Sequence, residues 1–197
     1  MNNYTTLFPR QLFLSIWKTA VTDLNPISKL PVLKTIDAKM TAITDLTPLK
    51  TLSSLKSIDL LQSKATDIDV LKELPNLKKV VLCSMPIEDI SVLYPKAEQL
   101  LYLDLCNTKF TDFEALKKFK NLERLKLWGL PIEDASLFSD MENLWELDLW
   151  NTKISDLSPL FNLKNLKRIV IAELDIDLEQ IEKIKENNPG IEIVESF

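Results

Sequence analysis

The sequence predicts one α/β domain in which short parallel strands stack side by side into a solenoid, and three observations support this fold. A leucine recurs from Leu33 to Leu166 at a spacing of 22 residues in all but one step. Each of these leucines opens a Leu-x-x-Leu/Ile/Val-x-Leu segment, which ends with the alternation of a half-buried strand. The composition, 46% hydrophobic and 27% charged, is uniform along the chain and suits one globular domain.

Three apolar columns run through the repeated strands. The first is the leucine column: Leu33, Leu55, Leu77, Leu100, Leu122, Leu144 and Leu166. The second is Ile36, Ile58, Val80, Leu103, Leu125, Leu147 and Ile169, and the third is Ala38, Leu60, Leu82, Leu105, Leu127, Leu149 and Ile171. One repeat cannot bury these side chains alone, but stacked copies bury them in a continuous core. The columns therefore predict a parallel sheet with one buried face.

The stretch between successive strands is predicted to be a capped turn or a short helix. An aspartate recurs there, at Asp23, Asp45, Asp67, Asp89, Asp112, Asp134 and Asp156. An aspartate at a helix start accepts backbone N–H groups, and a proline in the first turn, such as Pro159, loses no needed donor. These aspartates are therefore predicted to be structural caps and not a ladder of metal ligands.

The repeats begin before Leu33, because a weaker copy places Gln11 in the leucine position. Eight repeats then occupy residues 11–176, preceded by a short flank at residues 1–10. The first end of the core is either covered by a partner or a second copy, or plugged by apolar residues of the flank: Tyr4, Leu7 and Phe8.

Residues 177–197 are predicted to form a C-terminal cap, which a solenoid needs to cover its last repeat. The spacing of apolar residues predicts a helix from Asp177 to Lys185 with one buried face: Leu178, Ile181 and Ile184. Asn188-Pro189-Gly190 ends this helix, and residues 191–194 supply a final edge strand.

The stretch from Leu144 to Leu160, LWELDLWNTKISDLSPL, resembles the short 22-residue repeats of internalin-like bacterial proteins. The resemblance extends over about residues 11–187. It implies a right-handed leucine-rich-repeat solenoid, with the parallel sheet on the concave face and short turns or helices on the convex face. It also implies a general binding scaffold, since this family serves many partners.

Composition excludes several kinds of function. The chain has no histidine and two glycines, so a histidine-based triad, a histidine-ligated metal or a glycine-rich phosphate loop cannot form. The net charge of −5 disfavours nucleic acid and favours a basic protein partner. No apolar run is long enough to cross a membrane, and residues 1–10 do not read as a signal peptide, so we expect a cytoplasmic protein, with secretion as the alternative. We expect neither an enzyme nor a bound cofactor.

The third, fifth and seventh positions of each repeat are predicted to face solvent on the concave side. Tryptophans recur at the seventh position, although core packing does not require them there. Exposed aromatic side chains flanked by arginine are typical of binding hot spots. The predicted partner-binding residues are Trp17, Tyr102, Asp104, Arg124, Lys126, Trp128, Trp145, Glu146, Asp148 and Trp150. The alternative is that the tryptophans lie flat and shield the sheet.

Two other groups of residues lie on the predicted concave face. Aspartates occupy the fifth position in four repeats, at Asp37, Asp59, Asp104 and Asp148, and indicate either a cationic partner or a solvated face. Cys83 and Cys106 are neighbours in the seventh column and are predicted to be free thiols, because the sequence supplies too few ligands for a redox or metal pair.

The predicted function is binding of a partner protein through the concave sheet by a chain that is most simply a monomer. A cytoplasmic neutraliser, such as an immunity protein that masks a basic toxin, is one biological role. A secreted effector or adhesin that binds a host protein is the alternative, and a structural or oligomerisation module is a third. Asp104 and Asp148 are the candidates for an acid–base pair if the chain were an enzyme, but a flat sheet face does not exclude water from such a pair.

Overall fold

Nine parallel strands lie side by side in the order of the chain within residues 12–196, the part described by this computed structural model. They are β1 (Phe13–Ser15), β2 (Thr35–Asp37), β3 (Ser57–Asp59), β4 (Lys79–Val81), β5 (Tyr102–Asp104), β6 (Arg124–Lys126), β7 (Glu146–Asp148), β8 (Arg168–Val170) and β9 (Glu192–Val194). Each of the first eight strands carries the third to fifth positions of one repeat. The predicted leucine-rich-repeat solenoid is confirmed. The proposed plug at Tyr4, Leu7 and Phe8 falls outside the described residues, as does Gln11.

Short 3₁₀ helices form the convex side in the described residues. They are Asn25–Lys29, Thr47–Thr51, Asp69–Glu73, Ser91–Lys96, Phe113–Lys118, Ala135–Phe138 and Ser158–Leu160. The recurring aspartates bond to the backbone as predicted in six repeats, where a carboxylate accepts the N–H two residues later at 2.7–2.8 Å. Among these six, Asp134 alone is the N-cap of its helix, and the other five stand one residue before the N-cap. Asp112 is at the N-cap, but its side chain makes no capping bond.

The core is the stack of predicted columns. Leu103 and Leu125 are fully buried and stand opposite each other in adjacent strands, and the same register continues along the sheet. Phe110, Phe119 and Phe138 fill the wider space between the sheet and the convex helices. Because every repeat buries its apolar residues against its neighbours, the sheet face opposite the core is left as the extended surface of the molecule.

The C-terminal cap is a helix, α1 (Leu178–Asn187), followed by strand β9. Ile181 and Ile184 are buried as predicted, but the prediction for Leu178 is wrong, because that side chain is 75% exposed. Ile181 and Ile184 define the buried face, and Leu178 lies to one side of it in the first turn. Gln180 holds that turn to the preceding repeat, accepting a bond from Leu157 N at 2.6 Å. No helix within residues 12–196 is long and apolar enough to cross a membrane.

The residue after the seventh position adopts a left-handed backbone in all eight repeats. These residues are Lys18, Met40, Gln62, Ser84, Asn107, Gly129, Asn151 and Glu173, with φ between 50° and 75°. The conformation turns the chain from the sheet toward the core while the residue's N–H still bonds to the next repeat, as from Gly129 to Trp150 at 2.9 Å. Side chains are strained in this region, and glycine and asparagine tolerate it best.

Replacing Gly129 by alanine should lower the free energy of unfolding by about 1 kcal/mol through backbone strain. A Cβ atom added there meets Asn107 at 3.9 Å, an ordinary contact, so no steric term adds to the strain. Urea unfolding measures the change. The Gly129→Asn variant is the control, since asparagine occupies this position in both flanking repeats, and it should cost less. Equal stability of the alanine variant and the original chain would contradict the assignment of strain.

Candidate functional site

The C-terminal half of the concave face brings together three predicted site residues, Tyr102, Arg124 and Trp145. The Arg124 guanidinium carbon lies 4.7 Å from the centre of the Tyr102 ring and 5.0 Å from the centre of the Trp145 ring. Tyr102 and Arg124 are directly paired in β5 and β6, while Trp145 immediately precedes β7. Two aromatic rings therefore hold one cation by cation–π attraction, which fixes its position before any partner binds. We call Tyr102, Arg124 and Trp145 the aromatic clamp.

Glu146 anchors the clamp from below. Its carboxylate accepts hydrogen bonds from Arg124 and lies 3.2 Å from Lys126 Nζ and 3.5 Å from a guanidinium nitrogen of Arg168. The side chain is only 4% exposed, whereas the three cations are 24–35% exposed. Burial alone would raise the pKa of Glu146, but the hydrogen bond from Arg124 and the charges of Lys126 and Arg124 outweigh it and hold the pKa below its usual value. The predicted site residue Glu146 is thus a buried support and not a contact surface.

Trp128 and Trp150 form a second aromatic group beside the clamp. Their ring centres are 5.2 Å apart with 35° between the ring planes. Both are half-buried, so each exposes only part of its side chain to solvent. Val81, Cys83 and Cys106 form a small buried apolar cluster on the sheet face, and Trp128 packs against this cluster together with Tyr102 and Leu61. Part of the Trp128 side chain therefore shields the sheet face.

The aspartates of the fifth column act on their own backbone. Asp104 accepts the N–H of Cys106 at 3.0 Å, and Asp148 accepts that of Trp150 at 3.1 Å. Asp37 and Asp59 make the same bond with longer distances, and both lie within 3.6 Å of Lys39 Nζ. Each carboxylate closes the turn that ends its strand. Burial raises the pKa of Asp104 and Asp148 above the usual value, in spite of these bonds.

Trp17 does not join the clamp. It is 55% exposed at the N-terminal end of the seventh column, with Lys39 Nζ 6.0 Å from its ring centre. It follows β1, whereas Trp145 precedes β7, and six strand spacings of ~4.8 Å separate these two strands by roughly 29 Å. The predicted site therefore divides into a dense group in the C-terminal half and a single tryptophan at the other end.

Solved structures are similar to this arrangement, while no protein-family model and no curated protein sequence matches the chain. An internalin (inlF) of Listeria monocytogenes has a TM-score of 0.78 at 23% identity, over 92% of this chain and 53% of that one. Internalin C2 of the same organism has a TM-score of 0.76 at 28% identity, over 88% of this chain and 76% of that one. The chain has the leucine-rich-repeat solenoid fold of these internalins. The resemblance of its repeats to that family is thereby confirmed.

The chain spans about half the length of the first of these internalins and three quarters of the second. The fold also occurs in the leucine-rich-repeat ectodomain of the plant membrane receptor kinase GASSHO1/SCHENGEN3 from Arabidopsis thaliana. That structure, in complex with CASPARIAN STRIP INTEGRITY FACTOR 2, has a TM-score of 0.68 at 19% identity, over 93% of this chain and 24% of that one. Leucine-rich-repeat chains of this architecture are protein-binding scaffolds in general terms.

One group of buried residues on the concave face is not predicted by the sequence. The two thiol sulfurs of Cys83 and Cys106 and a carboxylate oxygen of Asp104 lie within 4.8 Å of one another, and all three residues are buried. The cysteines were recognised as neighbours, but Asp104 was assigned to a different column. The signal was present in the repeat, because the fifth and seventh positions of one strand lie on the same face of the sheet.

Proposed function

We propose that this chain recognises a partner protein through the C-terminal half of its concave face, with the aromatic clamp at the centre of the contact. The observation that carries the proposal is the fixed position of Arg124 between two rings and above a buried carboxylate. The core columns are filled without these side chains, so folding does not require them. Aromatic and arginine side chains that are ordered in advance lose little entropy on binding, which is the character of hot spots.

The charges of the clamp support a particular chemistry in the partner. The cationic tips of Arg124, Lys126 and Arg168 reach solvent, whereas Glu146 beneath them does not. We therefore propose that the partner presents carboxylate or carbonyl oxygens at the contact. The net charge of −5 acts over a longer range and favours a partner that is basic as a whole. The fifth-column aspartates give little support for basic groups on the contact surface of the partner, because these carboxylates already bond to their own backbone.

The test compares two exposed-face tryptophans at opposite ends of the solenoid. Trp145→Ala should weaken binding to a partner captured with the original chain by about 30-fold, or about 2 kcal/mol, the loss expected of a hot spot. Trp17→Ala, the matched control, should bind as the original chain does. Affinity is measured by calorimetry, after circular dichroism shows that both variants are folded. Loss of binding in the Trp17 variant alone would instead place the contact at the N-terminal end, and unchanged binding in both would exclude the clamp.

For the biological role, we propose a bacterial cytoplasmic neutraliser, such as an immunity protein that masks a toxin. The two buried free thiols support a reducing compartment, and the acidic chain suits a basic target. A secreted effector or adhesin predicts a partner from a host cell, and an oligomerisation module predicts a dimer in light scattering. Catalysis has less support, because Asp104 and Asp148 stand two strands apart on an open sheet face.

A further inference from the structure

Two carboxylates are buried on the concave face, and their surroundings differ. Glu146 lies against Arg124, Lys126 and Arg168, so its charge is compensated several times over. Asp104 is 7% exposed, yet within residues 12–196 no lysine or arginine nitrogen lies at ion-pair distance from it. It accepts the backbone N–H of Cys106 at 3.0 Å and lies within 4.8 Å of both thiol sulfurs, while the charge of Lys126 acts on it from beyond ion-pair distance. A buried carboxylate without a cation is costly, and proteins compensate such groups with an ion pair or a bound metal.

The groups nearest to Asp104 are the ones that a soft metal ion prefers. Cys83 and Cys106 are 4% and 0% exposed, and their sulfurs lie with the Asp104 oxygen in a triangle whose sides do not exceed 4.8 Å. The Ser84 hydroxyl is 3.6 Å from the Cys83 sulfur and is held by an N–H of the Asn107 side chain at 3.1 Å. Two thiols, a carboxylate and a hydroxyl thus converge from neighbouring repeats.

We propose that Cys83, Cys106 and Asp104 bind a thiophilic divalent cation, Zn²⁺ or Cd²⁺, on the concave face. Two sulfurs at about 2.3 Å from a tetrahedral zinc ion lie roughly 3.8 Å apart, so small side-chain rotations bring the triangle to the required size. The Ser84 hydroxyl or a water molecule completes four ligands. Binding releases the two thiol protons, and the resulting −3 charge of the ligands becomes −1 with the metal.

The site is formed by adjacent repeats and therefore by the register of the sheet. Val81 pairs with Asp104 in strands β4 and β5, and this register sets Cys83 beside Cys106, each two residues further along the chain. Trp128 and Tyr102 pack over the cluster, so the ion enters from the concave side when these rings move. Because Trp128 lies against the cluster, tryptophan fluorescence reports whether the metal site is occupied, with or without a partner protein.

The experiment titrates the reduced full chain with zinc chloride and cadmium chloride. Equilibrium dialysis with elemental analysis should give one ion per chain, and the cadmium form should show thiolate-to-metal charge-transfer absorption. Cys83→Ser should abolish that absorption. Asp104→Asn keeps an oxygen for the Cys106 N–H but removes the charge, and it should bind either ion at least about tenfold more weakly.

The matched control is Asp148→Asn, which changes the same position of another repeat, where the carboxylate accepts the Trp150 N–H and has no thiol neighbours. It should bind the ions as tightly as the original chain. Circular dichroism and thermal unfolding establish that each variant is folded, and zinc should raise the melting temperature of the original chain and of the control more than that of Cys83→Ser or Asp104→Asn. The proposal is overturned if the original chain binds no more metal than Cys83→Ser, or if Asp104→Asn binds as tightly as the original.

Discussion

Replacing Leu103 by alanine should lower the free energy of unfolding by about 3 kcal/mol, the largest change expected from any substitution considered for this chain. Leu103 is fully buried at the centre of β5 and faces Val80 and Leu125 in the adjacent strands. Removing its side chain takes away apolar burial and leaves a cavity that rigid neighbouring repeats do not fill. Denaturant unfolding followed by circular dichroism measures the loss.

Leu178→Ala is the control for this substitution, because it makes the same chemical change at a side chain that is 75% exposed. It should alter stability by less than about 0.5 kcal/mol. If the two variants were equally stable, the assignment of the strand columns to the core would be wrong. If Leu103→Ala lost the broad cooperativity of unfolding as well, the disturbed repeat would have separated the two halves of the solenoid.

Glu146→Gln should cost about 2 kcal/mol at neutral pH, because it removes a buried charge on which three cations converge. The cost stays below that of a fully buried pair, since Arg124, Lys126 and Arg168 remain 24–35% exposed and water takes up part of their charge. Glu192→Gln is the matched control. Glu192 is 61% exposed and contacts Arg168 alone among the cations of the described residues, so its loss should cost less than about 0.5 kcal/mol.

The stability difference between the original chain and Glu146→Gln should depend on pH in a defined direction. The pKa of Glu146 in the folded chain is held below its usual value of 4.5, so the unfolded state takes up the proton first. The carboxylate therefore stabilises the fold fully above pH 4.5, and its contribution is lost as the pH falls through the folded pKa. Unfolding measured from pH 7 downward should show the two curves converging in acid, and a constant difference would contradict the role of the charge.

The fold was predictable because each repeat presents the same short pattern, and a repeated pattern averages out the errors of any one copy. Leu103 and Leu125 were assigned to the core from spacing alone, and the aspartates of the convex turns from the capping preference of that residue. The C-terminal helix was predictable from the spacing of its apolar residues, and its end from Asn188-Pro189-Gly190. Leu178 was misplaced because spacing cannot tell which edge of a helix face reaches the preceding repeat.

The candidate site was predictable only as a set of columns. The pattern places Tyr102, Arg124 and Glu146 on the same face, but it cannot say which side chain is buried beneath another. Glu146 became a support because two arginines and a lysine surround it, and side-chain packing of that kind is absent from the spacing of residues. The same limit applies to the apolar cluster beneath Trp128, which combines side chains of two adjacent repeats.

The central claim is that the aromatic clamp contacts the partner, and side-chain footprinting of the complex tests it most directly. Hydroxyl radicals oxidise exposed tryptophan and tyrosine, and mass spectrometry reports the extent at each residue with and without the partner. We expect the partner to protect Tyr102 and Trp145 from oxidation and to leave Trp17, at the other end of the same face, unchanged. Protection of Trp17 or of the convex turns, with Trp145 as reactive as in the free chain, would contradict it.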